Sequence, residues 1–213
     1  MATANQKINA STIIAGLDSV FVEVLKQMET GLSADLSYHN YAHTLDVLEQ
    51  ALTLARRENC SDRDVHLLTI AAIYHDAGFL IRKQANEPVG AQMAVTAMRR
   101  RGGYSDLECS EVSQMILDTT LLMTGEAQQS NAPLSPYLLD ADLSNLGRDC
   151  FWDQTKALAD EVNVPATNFF KISLALMERH NWQSSAGVEL YQQRKERNMS
   201  DLRQVIKSGR EAP

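Results

Sequence analysis

Cysteine is scarce in this chain, with only Cys60, Cys109 and Cys150 among 213 residues and no CxxC spacing between them. An odd, scattered set excludes a disulfide framework and a cysteine-rich zinc knuckle, so the three read as reduced, structural thiols. Proline and glycine are also few, 5 and 10 residues, which excludes a turn-rich β-sandwich and a disordered linker. No apolar run approaches the roughly 20 residues that a membrane span needs. The N-terminal MATANQKINAST lacks the basic stretch and apolar core of a signal peptide, and the expectation is a cytoplasmic protein that binds no membrane. Positive charge is short as well: 20 Lys and Arg face 27 Asp and Glu, a net charge of −7. That balance excludes a protein gripping long nucleic acid, whose affinity comes from neutralising many phosphates. Two basic clusters, Arg99-Arg100-Arg101 and Arg194-Lys195-Glu196-Arg197, read as solvated helix ends.

What the chain does have is a helical rhythm. Apolar residues recur every three or four positions, as in Leu45, Leu48, Leu52 and Ala55, or Val112, Met115, Ile116 and Thr119, and no segment alternates as a strand would. Breaks fall near Gly31 to Ser37, Glu58 to Asp62, Lys83 to Pro88, Gly102-Gly103, Thr124 to Pro136 and Val164-Pro165, which gives roughly eight or nine helices of ordinary length. The expected fold is all-α, an irregular helical bundle forming one domain over 1–213. Within it, 1–36 is an N-terminal helical region, 37–150 the core and 151–213 the C-terminal helices. No repeat or low-complexity segment is present. The polar stretch Thr124 to Pro136 reads as a mobile connection, with a lid as the alternative.

The chemistry lies in the histidines, four of which fall between positions 39 and 75. His75-Asp76 closes the apolar run LLTIAAIYHDAGF, where Leu68, Ala72, His75 and Phe79 share one stripe. An imidazole and a carboxylate therefore point inward, and a buried carboxylate is costly unless it is paired or holds a metal. His39 and His43 in SYHNYAHTLDVLEQ are i,i+4 partners that would face one site from a shared helix. Ser37 or Asn40 is the candidate cap, with His39 at the rim and His43 inside. In YLLDADLSNLG, Asp140 and Asp142 point about 200° apart on a helix. Leu139, Asp142, Leu143 and Leu146 form the apolar stripe, so Asp142 is the better ligand and Asp140 the more exposed. Two His and two Asp make a mixed nitrogen and oxygen set suited to a divalent ion with open positions for water and substrate.

The order His43, His75-Asp76, Asp142 resembles the H…HD…D signature of the HD superfamily of metal-dependent phosphohydrolases. The segment YHNYAH is similar to the Tyr-His-Asn-x-x-His segment of cyclic-nucleotide phosphodiesterases, a resemblance that implies a metal ligand at His43 and a proton donor to the leaving oxygen at His39. The stretches NEPVGAQMA, DADLSNLGRD and RHNWQSSAGVELYQQRKERN resemble small bacterial predicted HD phosphohydrolases, so the likeness runs from Ser37 to Asn198. Departures limit it. Asn86-Glu87 stands where several HD subfamilies carry His-Glu, no His follows in ILDTTLL, and His75-Asp76 lacks the following acidic pair of the ppGpp-hydrolase type.

The resemblance and the residues together imply one divalent ion per chain, Mn, Mg, Fe, Co, Ni or Zn, held by His43, His75, Asp76 and Asp142. Asp76 would also orient the attacking water, with His39 as general acid. Lys83 and Arg148 are candidate phosphate contacts, ordinary surface cations being the plainer alternative. Asp46 and Asn145 are candidates for orienting the ligands. His180 and Trp182 would close the pocket or simply pack a helix end. The expected substrate is a phosphomonoester or phosphodiester of a nucleotide or similar metabolite. A non-catalytic nucleotide or metal sensor is the other reading, and homodimerisation is left open.

Overall fold

The computed structural model describes residues 10–121 and 128–209. Among these the chain is all-α, with ten α-helices in the order α1 (Ala10–Ala15), α2 (Ser19–Gly31), α3 (Tyr41–Arg57), α4 (Asp62–Tyr74), α5 (Asn86–Arg101), α6 (Asp106–Asp118), α7 (Ser135–Asp142), α8 (Phe151–Glu161), α9 (Ala166–Arg179) and α10 (Ser185–Ser208). Two short 3₁₀ helices follow α4 and α7, at Ala77–Leu80 and Ser144–Gly147.

Local chemistry sets many of the starts. Ser61 with Asp64, and Ser105 with Glu108, form reciprocal capping boxes that satisfy orphan amides at the beginnings of α4 and α6. Asp18, Asn40 and Ser184 cap α2, α3 and α10 through their side chains. Pro88 lies in the first turn of α5, where its missing N–H costs nothing, so the break expected at Lys83 to Pro88 ends three residues earlier, at Ala85. Gly102 at φ 75° closes α5.

Helix α4 is the buried axis of the molecule. Every residue from Leu67 to Tyr74 is buried, and α3, α5, α6 and α7 pack around it. Such a helix shows apolar residues on all sides because all sides are covered. The turn at Ala77–Leu80 is pressed against α5 by two glycines. A Cβ on Gly78 would lie 2.0 Å from the Asn86 carbonyl oxygen, and one on Gly90 would lie 2.4 Å from that of Tyr74. This approach fixes where His75 and Asp76 emerge from the end of α4.

Three expectations need correction. Asn40 is the helix cap, so His39 precedes α3 and does not share it with His43. Helix α7 ends at Asp142 and the chain turns into a 3₁₀ segment, so the stripe reckoned through Leu143 and Leu146 does not exist as one helical face. The cluster Arg194 to Arg197 lies in the middle of α10 and not at its end; Lys195 is buried and donates to the His180 carbonyl oxygen. In the Thr124 to Pro136 stretch, residues up to 127 lie outside the described residues, and with them the question of a lid. From 128 onward it is tied to α6: Gln128 donates to the Thr119 carbonyl, and Asn131 donates to Asp118 through its backbone and side chain.

Candidate metal centre

Four side chains from three places in the sequence meet at the ends of α4 and α7. His43 projects from the first turn of α3, His75 and Asp76 follow the last turn of α4, and Asp142 ends α7. His43, His75 and Asp76 are buried and Asp142 is half-buried. Nε2 of His43 lies 3.2 Å from Asp142 Oδ1 and 3.5 Å from Asp76 Oδ2; Nε2 of His75 lies 3.2 Å from Asp76 Oδ2 and 3.7 Å from Asp142 Oδ1.

These separations are not hydrogen bonds. Nε2 of both histidines and Oδ2 of Asp76 are buried without a hydrogen-bond partner. The Nδ1 of His75 donates to the Ala72 carbonyl at 2.8 Å, which leaves Nε2 as the nitrogen that faces the carboxylates. Acceptors facing acceptors in a dry interior repel unless a positive charge lies between them. Ligand atoms held about 2.1 Å from one ion are separated from each other by about 3.0 to 3.4 Å in tetrahedral or octahedral arrangements, close to the distances found here. His43, His75 and Asp142 offer ligand atoms that all lie within 4.8 Å of one another, and the residues present fit a divalent ion. The electrostatics point the same way. Burial opposes charge on His75, yet Asp76 and Asp142 outweigh it and lift the imidazole to about 9. Burial likewise favours the neutral form of Asp76, but the imidazoles of His75, His39 and His43 hold its carboxyl well below the usual range.

Beside this cluster opens a cavity of about 380 Å³, a size for a small molecule. His39, Asp76, Asn86, Glu87, Asp142 and Asn145 form its polar side. His39 is placed by Glu161, the last residue of α8: His39 Nδ1 donates to Oε1 at 2.5 Å, and the backbone N–H groups of Tyr38 and His39 both donate to Oε2, at 2.8 and 2.9 Å. Its ring stacks on Phe79 with centroids 4.8 Å apart. With Nδ1 engaged, Nε2 is the nitrogen left for the cavity. Burial works to lower the His39 pKa, but the hydrogen bond to Glu161, together with the charges of Asp76, Glu161 and Asp142, raises it above that of a free histidine.

Other candidates lie elsewhere. Arg148 donates to both oxygens of Asp46, at 2.6 and 2.9 Å, and to Ser144 Oγ. Lys83 is exposed, and neither cation lines the cavity. Asp46 is thus occupied with Arg148. Asn145 reaches the cavity with its Oδ1 buried and unpartnered, as is Oδ1 of Asn86. His180 and Trp182 pack against each other and Lys195, away from the cavity.

Asp140 was expected to be exposed, and the structure reverses this. It is fully buried, and its oxygens accept from Gln183 N at 2.7 Å and from Ser184 N and Oγ at 2.8 and 2.6 Å. The angular separation of the two aspartates survives, but the face opposite the metal cluster is covered by α10. Glu161 was not found from the sequence, because its partner lies 122 residues away and a single Glu at a helix end carries no local pattern.

Several solved structures share the fold, among them the following three. A protein of Lactobacillus plantarum aligns with a TM-score of 0.66 at 15% identity, covering 90% of this chain and 97% of its own. Bacillus subtilis YpgQ, solved in complex with ADP, aligns at 0.57 and 18%, covering 89% and 96%. A predicted HD superfamily hydrolase from an uncultured Thermotogales bacterium aligns at 0.54 and 18%, covering 81% and 97%. At such identities these likenesses speak for the fold. Comparison with curated protein sequences finds no match. The family model of the HD domain matches residues 40–151, a span that takes in all four clustered side chains and more than half of the sequence, and by that match the chain belongs to the HD domain family.

Proposed function

We propose that the protein is a metal-dependent phosphohydrolase that cleaves the phosphoester of a nucleotide or similar small metabolite. The observation that carries this reading is the convergence of buried, unpartnered Nε2 and Oδ2 atoms from His43, His75 and Asp76, with Asp142 beside them, next to a cavity that Asp76 and Asp142 line. His43, His75, Asp76 and Asp142 would hold the ion. When bound, a divalent ion supplies a water of lowered pKa and charge to neutralise phosphoryl oxygens. Asp76, at the cavity wall, would orient the attacking water. His39 delivers a proton from Nε2 to the leaving oxygen as the old P–O bond breaks, with Glu161 holding the ring in place and favouring its charged form. The nucleotide class draws support from the ADP held by YpgQ. A cytoplasmic, single-domain protein belongs to the same reading; among the described residues no helix is long and apolar enough to cross a membrane.

The test combines metal analysis with turnover. Protein stripped with a chelator and reloaded separately with Mn²⁺, Mg²⁺, Co²⁺ or Ni²⁺ is assayed on a panel of phosphoesters. We expect about one ion per chain in the wild type, and loss of both metal and turnover in His75→Ala and Asp142→Ala. Equal metal content in all three proteins would overturn the assignment.

A further inference from the structure

The cavity beside the four ligands has two unlike halves. Its polar half lies at the metal cluster. The other half is built from the chain beyond the family match, by Leu158, Val162, Val164, Phe169, Ile172 and Leu176. Among the described residues six large apolar side chains are exposed, and three of them, Leu121, Val162 and Ile172, line this cavity at 41, 48 and 44% exposure. Such surface costs free energy in water, and its concentration around one opening marks a place where an apolar group is received.

The charges tell the complementary part. The charged side chains among the described lining residues are Asp76, Glu87 and Asp142, with His39 beside them; there is no lysine or arginine. Arg148 is spent on Asp46 and Lys83 stands outside. The remaining unpaired polar atoms, Oδ1 of Asn86 and of Asn145, are neutral. One phosphoryl group can be met by an ion and His39. The further phosphates of a polyphosphate need cationic side chains to hold them, and here they would meet Glu87 or aliphatic carbon.

We propose that this site, on the phosphohydrolase reading above but narrowing its substrates to monophosphates, takes esters with a single phosphoryl group on an apolar body, whose alkyl or aryl part lies on the wall of α8 and α9, and that, unlike YpgQ with its ADP, it turns away polyphosphates.

Binding separates this inference from the reading on which it rests. Methyl-, butyl- and octylphosphonate, and ADP, are titrated by calorimetry into Mn²⁺-loaded protein below the micellar range. Full burial is worth up to about fourfold in affinity per methylene, so octylphosphonate should bind at least about tenfold tighter than butylphosphonate, and tighter than ADP. Ile172→Asn, a change at a half-exposed position, should bring the octyl-to-butyl ratio toward one. Octyl and butyl affinities within about twofold of each other, or tighter binding of ADP, would overturn the inference. Turnover of octyl phosphate and of ADP is then measured on the same protein. A clear chain-length gain in binding with no hydrolysis of any phosphoester would leave the apolar site standing and remove the hydrolase reading.

Discussion

At the residue scale, the site rests on atoms that lack partners and on one that has a strong partner. The two Nε2 atoms and Asp76 Oδ2 are left open, whereas His39 Nδ1 is locked to Glu161. If His39 donates the proton, Glu161 keeps it charged at higher pH, and removing that carboxylate should lower the His39 pKa. Activity that requires the charged ring is lost as pH rises through that pKa, so in Glu161→Gln the alkaline limb of kcat/KM should move to lower pH. The loss should be larger for an alkyl phosphoester than for a p-nitrophenyl ester, whose leaving group needs little protonation. Metal content should not change. An unmoved alkaline limb, or equal loss on both esters, would remove the dyad from proton transfer. His75 and Asp76 are legible in the sequence because they close an apolar run, where polar residues are anomalous, whereas His43 is read from its spacing to His39 and Asp142 from a stripe that the turn after α7 breaks. Glu161 was not legible, since its meaning comes only from a partner brought by folding.

At the element scale, the instructive case is α7. Its eight residues carry one aspartate toward the candidate ligands His43 and His75 and another toward the N-terminus of α10. Sequence reasoning assumed that the face opposite the core faces water. That assumption suits a helix on the outside of a bundle, and it fails for α7, which is packed by α3 on one side and α10 on the other. A Cβ on Gly187 would lie 2.2 Å from Asp140 Oδ2, so glycine permits the α10 backbone to come this close. Asp140→Asn keeps the shape but replaces one acceptor by a donor among buried N–H and O–H groups, a loss of about 1 to 3 kcal/mol. For a chain of this size each kcal/mol lowers Tm by about 2 to 4 °C. Thermal unfolding should show that shift while metal content stays at the wild-type level, the reverse of Asp142→Asn, where metal is lost. Metal loss in Asp140→Asn would mean that the two aspartates are not functionally separate. The periodicity that revealed the helices is a local property; which faces are covered is decided by the partners.

At the scale of the whole molecule, the parts of the site come from two stretches of chain. The candidate ligands lie between His43 and Asp142, inside the span that the family model matches, while Glu161 and the apolar wall follow it. The second stretch is fastened to the first at several points. Glu58 accepts from Ser185 Oγ and Ala186 N, and Asn198 donates to the carbonyls of Leu146 and Arg148. In stopped-flow refolding with Mn²⁺ present, metal uptake should therefore reach its plateau before phosphoester turnover returns, because turnover also awaits the docking of α8. Simultaneous recovery would show that the ligand cluster forms only when the C-terminal helices are in place.

The link between His39 and Glu161 gives this ordering a meaning during synthesis. A nascent chain that has emerged only as far as Asp142 already carries every candidate ligand but not the carboxylate that holds His39. On the proposed reading, loading would thus precede competence: the young molecule would gather its ion before it is able to act on a substrate.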